Sequence, residues 1–161
     1  MIVRAEGPAD HAAVAALIDE AFSPMAFASG GEAAIVAALR RAGGVTLGLV
    51  AEDAGQVVGQ ATFSPVTIDG RDSSWHALGP IAVAPERQGQ GIGTALIADG
   101  LARLRALGSA GCVLTGSGYY RRFGFRNSER MRVEGYPPEH FLVLPFASEA
   151  DGIVAFHPAF G

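Results

Sequence analysis

The middle of the chain constrains its fold most. A short apolar stretch, Ile81-Ala82-Val83, passes through Ala84-Pro85 into Gln88-Gly89-Gln90-Gly91-Ile92-Gly93-Thr94. Apolar residues at helical spacing follow at once: Ile92, Leu96, Ile97, Leu101, Leu104 and Leu107. This pattern predicts a strand that turns through glycines onto an amphipathic helix, which Gly108 closes. The first turn of a helix leaves N–H groups without intrahelical acceptors, and the helix dipole adds positive potential there. The turn is therefore suited to an anion, and Gly89, Gly91 and Gly93 remove side chains that would hold a phosphate at a distance. A diphosphate matches this chemistry.

Two familiar phosphate loops do not fit. No Gly-Lys-Ser/Thr follows, so a Walker-type nucleotide site lacks its lysine and its metal-binding hydroxyl. Thr94 stands where a dinucleotide fingerprint requires its last glycine, and no acidic residue on a following parallel strand is placed to hold a ribose.

The other periodicities set this element in a larger order. Residues 2–5 read as a first strand, with Asp10 as the N-cap of a helix carrying Val14, Leu17, Ile18, Ala21 and Phe22. Ser23-Pro24 stops that helix, and a second runs from Gly31 through Ile35, Val36 and Leu39 to Gly43-Gly44. Residues 45–52, 56–68 and 74–83 read as strands joined at Asp53-Ala54-Gly55 and Asp69-Gly70, the last of them interrupted by Gly79-Pro80. After the central helix come a buried strand at 112–115, a brief helix with Tyr119, Tyr120 and Phe123, and a hairpin of 141–146 with 153–156. The order predicts an α+β fold, a mixed, mostly antiparallel sheet flanked by helices. At 161 residues this is one domain, 1–161, with a central core of about 78–125 and a C-terminal hairpin of about 141–157.

Charge divides the chain unevenly. Residues 1–80 hold 4 Arg against 9 acids, residues 81–133 hold 8 Arg against 3 acids, and residues 134–161 hold 4 acids and no Arg. Lysine is absent, so every fixed side-chain cation is a guanidinium, whose planar fork suits phosphate. The basic island overlaps the glycine turn and could meet a polyanion there; solvated helix faces would give the same charge pattern. A pI near 5.5 argues against a nucleic-acid partner. No apolar run approaches the ~20 residues of a bilayer span, and no secretory signal is visible at the start. A single cysteine, Cys112, forms no internal disulfide, and both features lean towards the cytoplasm. Cys112 sits in an apolar strand and reads as a core residue.

With its strand, Pro85, and Gln88, Gly91 and Gly93 in Gln/Arg-x-x-Gly-x-Gly/Ala spacing, the turn resembles the GNAT superfamily of acyl-CoA-dependent N-acetyltransferases. Tyr120-Arg121-Arg122-Phe123-Gly124-Phe125 is similar to that family's Tyr-x-x-x-Gly-Phe element. The resemblance implies a GNAT fold and acetyl-CoA as co-substrate, with no metal. It implies that backbone groups of Ile81, Ala82 and Val83 hold the pantetheine arm. Gln88, Gly89, Gln90, Gly91, Ile92, Gly93 and Thr94 would cradle the diphosphate, and Tyr120 would lie near the sulfur. Many relatives carry an Asn one or two turns before this tyrosine; here Thr115-Gly116-Ser117-Gly118 stands instead, with Ser117 as the substitute. The closing Phe156-His157-Pro158-Ala159-Phe160 also resembles endings from one bacterial branch of the superfamily.

Direct transfer from a thioester to an amine needs a neutral amine, stabilisation of the developing oxyanion, and a proton for the leaving thiolate. A tyrosine of pKa ~10 giving its proton to a thiolate of ~8.5 works uphill by about 2 kcal/mol, small against the ~8 kcal/mol or more that enzymes remove from barriers. Tyr120 is thus assigned as the acid, and its neighbour Tyr119, ~100° round a helix, as a packed aromatic. Glu52, His76, Glu86 and His140 are available as a base, with His76 placed nearest the acyl group. Arg87, Arg121, Arg122 and Arg126 are candidates for the nucleotide phosphates. The acceptor is a small-molecule or protein amine, whose identity would be written in the loop at 23–31, the splayed strands and the tail; the aromatics there, Phe22, Phe27, Tyr136 and Phe141, either line a pocket or fill a core, with ordinary packing the default for each. A non-catalytic acyl-CoA sensor and a nucleotide-binding module are the competing readings. A homodimer could form through the terminal hairpin, whose last strand needs an edge.

Overall fold

Strand alternation and helical stripes resolve, in a computed structural model describing residues 1–23 and 31–161, into eight strands and three α-helices. In chain order these are β1 (Ile2–Ala5), α1 (His11–Phe22), α2 (Glu32–Arg41), β2 (Leu47–Asp53), β3 (Gln56–Ile68) and β4 (Arg71–Val83). They continue with α3 (Ile92–Ala106), β5 (Gly111–Thr115), β6 (Met131–Val133), β7 (Phe141–Pro145) and β8 (Gly152–Ala155). A 3-10 turn, Gly118–Phe123, follows β5. Phe27, assigned above to the acceptor site, lies outside the described residues.

The sheet runs β1-β2-β3-β4-β5-β7, antiparallel except where β4 and β5 lie parallel with α3 as their crossover. This is the expected mixed, mostly antiparallel sheet. α3 covers one face with Leu96, Ile97 and Leu104 against Leu49, Ala51 and Phe63. α1 and α2 cover the other face, where Val14, Ile18 and Val36 meet Val50 and Ala82. A third cluster, with Trp75, Val113, Met131 and Val154, closes the far end of the sheet. Burying side chains of this size stabilises by roughly 1.5–3 kcal/mol each, so helix positions follow from their apolar stripes.

One expectation fails and another holds in part. Residues 141–146 and 153–156 do not pair as a hairpin. β7 takes the free edge of β5, register Gly111↔Pro145 to Thr115↔Phe141. β8 crosses to β3 at Thr67↔Ala155 and lies parallel to β6. Two successive apolar runs look like a hairpin, but β3 and β5 each offer backbone groups that only the assembled sheet reveals. The last strand thus finds its partners within the chain, which removes the stated reason for a dimer. Asp10 occupies the N-cap position of α1 as expected, but its side chain makes no capping bond there. Its carboxylate instead takes both Arg4 Nη atoms (2.8 and 2.9 Å) and the Gly7 N–H (2.8 Å). Arg4 above all holds this carboxyl down to about 2. Its stabilising contribution is therefore present above the ordinary carboxylate range and is lost as pH falls towards that value.

The decisive feature for function is a divergence. β4 and β5 pair only from Trp75↔Gly111 to Ala77↔Val113. Beyond Ala77, β4 runs on through Gly79-Pro80 with a register shift against β3, where Ala61 faces Ile81 and Phe63 faces Leu78. Proline has no N–H for the ladder, so the strand leaves regular pairing where the sequence placed the interruption. The two strands part and leave a wedge.

Candidate active site

That wedge opens into a cleft of about 980 Å³ between β4, the start of α3, β5 and the 3-10 turn. Its lining brings together Ile81, Ala82, Val83, Gln88, Gly89, Gly91, Ile92, Gly93, Thr94 and Tyr120, all of which the sequence marked. Gln90 is the exception: its side chain accepts from Arg87 Nε (3.1 Å) and donates to the Glu86 carbonyl (3.4 Å), outside the cleft.

The wall from β4 to α3 is built mostly from main chain. Gly89 and Gly91 have φ of +76° and +84°, the left-handed region where a Cβ clashes with the backbone. Gly93 has no such φ, and a Cβ there would meet only Val83 Cγ2, at 3.8 Å. The glycines thus serve two purposes, turning the chain at Gly89 and Gly91 and leaving room at Gly93. Gln88 N donates to Pro85 O at 3.4 Å and Ala95 N to Gly91 O at 3.0 Å. Between them, the N–H groups of residues 89–94 have no acceptor among the described residues. The free run therefore starts one residue later than expected. Gln88 Nε2 folds back onto Val83 O (3.2 Å) and ties the turn to the end of β4. Among the described residues no acidic side chain lines the cleft, and Arg87 and Arg122 add positive charge to the helix dipole.

The facing wall is built from side chains. Tyr120 is packed against the α3 core and edge-on to Phe125, at 6.4 Å between centroids. A Cβ on Gly116 would lie 2.8 Å from Tyr120 Cε2, so only glycine lets this ring lie there. Burial pushes the phenol above its ordinary value and keeps it protonated. Ser117 lines the cleft, and its hydroxyl caps the turn by accepting from Tyr119 N (3.4 Å). Tyr119 is not the packed aromatic expected. It is 37% exposed, shares a hydrogen bond with Thr94 Oγ1 (3.1 Å), and carries the Arg122 guanidinium 4.0 Å above its ring. It therefore bridges the cleft mouth, because a short turn at the surface cannot bury both adjacent rings.

Among the other candidates, Arg87 lines the cleft and pairs with Asp53 at 2.7 Å. Arg121 bonds Asn127, and Arg126 bonds the Phe125 carbonyl (2.9 Å), both outside the lining. None of the four base candidates lines the cleft. Glu52 pairs with Arg4 at 2.9 Å, Glu86 and His140 are exposed, and His76 shares a 2.7 Å hydrogen bond with Ser109 beyond the end of α3. Burial pushes the His76 imidazole below its ordinary value. Cys112 is buried in the core, which pushes its thiol far up, as suits a packing residue. Phe22 lines the cleft; Tyr136 and Phe141 do not. Among the described residues no cluster of metal-ligating side chains occurs, and no helix is long and apolar enough to cross a membrane.

One positioning residue was missed. Gln60 is fully buried on β3; its Nε2 donates to Pro80 O (3.1 Å) and its Oε1 accepts from Thr62 Oγ1 (3.1 Å). It supplies the bond that the irregular stretch of β4 cannot obtain from the ladder. The only signal was a glutamine among the apolar residues of β3, which sequence alone does not separate from a solvent-facing position.

The family model described as Acetyltransferase (GNAT) domain matches residues 46–127, a span that contains every residue of the cleft lining except Ala21 and Phe22. The Escherichia coli K12 protein called Uncharacterized N-acetyltransferase YhbS is 41% identical over 170 positions, covering 99% of this chain and 98% of that one. A crystal structure of a GNAT family acetyltransferase from Brucella melitensis in complex with acetyl-CoA superposes with a TM-score of 0.90 at 46% identity, covering 99% and 97% of the two chains. The crystal structure of YhbS in complex with CoA superposes with a TM-score of 0.91 at 35% identity, covering 99% and 91%.

Proposed function

The chain belongs to the GNAT family of acetyltransferases, and from that premise we propose that it transfers an acetyl group from acetyl-CoA to a primary amine by direct attack in a ternary complex. The observation that carries this reading is the pairing of two features in one cleft. A run of free N–H groups from Gly89 to Thr94 lies at one end, and a buried, protonated Tyr120 stands on the opposite wall.

The residues present fit the co-substrate. The free amides and the α3 dipole suit a diphosphate. The apolar edge of β4, with Leu78, Ile81 and Val83, suits an extended pantetheine arm, and the volume is ample for it. Acetyl-CoA supplies the thioester; the chain supplies orientation and a proton. Tyr120 donates its proton to the departing sulfur. Burial that raises the phenol also raises the basicity of a thiolate in the same dry site, so the mismatch between them stays small. Cys112 is sealed in the core and takes no part, consistent with transfer without an acyl-enzyme.

The test pairs binding with turnover. CoA at 100 times its dissociation constant should stabilise the protein by about 2.7 kcal/mol in thermal unfolding, with ATP and NAD giving no comparable shift. Acetyl-CoA with a panel of primary amines should then release free thiol in an amine-dependent way. Stabilisation without such release would identify an acyl-CoA sensor instead.

A further inference from the structure

Among the described residues, the cleft lining carries no group able to accept a proton at neutral pH. Its titratable lining consists of Arg87, Arg122, Tyr119 and Tyr120. The guanidiniums are permanent cations, and burial keeps the Tyr120 phenol protonated. Gln88, Thr94, Thr115 and Ser117 are neutral, and the rest of the lining is apolar or glycine. Residues 24–30, Pro-Met-Ala-Phe-Ala-Ser-Gly, include no titratable side chain.

Among the described residues, the elements around the cleft place their acids outside its lining, Glu32 in the first turn of α2 included. Asp19 and Glu20 of α1 are exposed, as is Glu86 before the glycine turn, and none of them lines the cleft. Asp99 of α3 is paired with Arg103. Asp53 is bound to Arg87, which lowers its basicity. An ammonium ion entering would meet two arginines and the positive end of α3, with no carboxylate in the described lining to attract it or to take its proton.

We infer that the acceptor is a weakly basic amine that loses its proton to solvent before it binds. The α-amino group of a peptide belongs to this class; the side chain of lysine and polyamines do not. The inference rests on the acetyl-transfer reading above and narrows its acceptor. Near pH 7.5 an α-amino group of pKa ~7.7–8.0 is about one-third neutral, whereas a lysine amine of ~10.4 is neutral in roughly one molecule in a thousand. The neutral nitrogen forms the C–N bond as the C–S bond breaks. Tyr120 gives its proton to the sulfur and regains one from the nitrogen through water. Amine and thioester thus become amide and thiol without a protein base.

The experiment uses trifluoroethylamine, glycinamide and ethylamine, similar in size and graded in basicity. The full-length protein is saturated with acetyl-CoA, and kcat/KM is followed by thiol release across pH. The rising limb should move with the basicity of each amine, and near pH 7.5 glycinamide should exceed ethylamine roughly tenfold or more. His76→Ala should leave that limb in place. A limb fixed at one pH for all three amines, or one abolished in His76→Ala, would overturn the inference while leaving acetyl transfer intact. Thiol release with none of them, while CoA still raises the melting temperature, would overturn both.

Discussion

The two walls of the cleft are made of different material. On the β4–α3 side the functional groups are peptide N–H donors, held by two left-handed glycines and by Gln88 folded onto Val83. On the β5 side they are side-chain atoms: the Tyr120 hydroxyl, the Tyr119 hydroxyl and the Arg122 guanidinium. A wall of main chain is sensitive to whatever moves the backbone and indifferent to most side chains. A wall of side chains is sensitive to single atoms. Binding and chemistry should therefore separate under mutation.

The sharpest test of this contrast is Tyr120→Phe, which removes one oxygen from the side-chain wall. Turnover should fall about 100-fold or more, the usual weight of a positioned acid, with the dissociation constant of CoA nearly unchanged in calorimetry. If the protonated phenol is the acid, burial that raises its pKa predicts that wild-type activity persists up to the ordinary tyrosine value of ~10 and declines only above it. A decline near neutrality would point to another group.

Next in size is Gly91→Ala. A residue with Cβ in the left-handed region costs roughly 1–2 kcal/mol, so CoA should bind about tenfold more weakly. Gly93→Ala should fold with wild-type stability, since its Cβ meets ordinary space; weakened CoA binding there would report ligand crowding alone. Destabilisation of both variants by the same amount would break the distinction between turning and clearance. Gln60→Met keeps the volume but leaves Pro80 O without its donor. We expect about 1–3 kcal/mol lost in thermal unfolding and a several-fold drop in turnover, with CoA affinity preserved because the amide run lies elsewhere. The smallest effect belongs to Arg122→Gln. A two- to threefold loss of CoA affinity, vanishing at high salt, fits an exposed guanidinium acting through screened charge.

The same contrast explains what could be read in advance. Gly89, Gly91 and the apolar stripe of α3 announced the main-chain wall because a turn onto a helix is encoded by neighbours in sequence. Tyr120 was reached through the resemblance of Tyr120-Arg121-Arg122-Phe123-Gly124-Phe125 to the family's Tyr-x-x-x-Gly-Phe element. Tyr119 was misjudged, since its partner Thr94 lies on another element and only their meeting at the cleft mouth gives its ring a reason to be exposed. His76 seemed close to the reacting end because it precedes Gly79-Pro80. Strand alternation and the end of α3 instead aim it at Ser109.

By itself the sequence determined the elements and their order, the interrupted β4 strand and the glycine turn onto α3. Each follows from local periodicity or from the conformational limits of glycine and proline. The tertiary structure alone decided that β7 and β8 go to different edges, that Gln60 supports Pro80, and that no carboxylate among the described residues lines the cleft. Those outcomes depend on which backbone groups remain unpaired and which side chains share a space once distant segments meet, and no local pattern of residues carries that information.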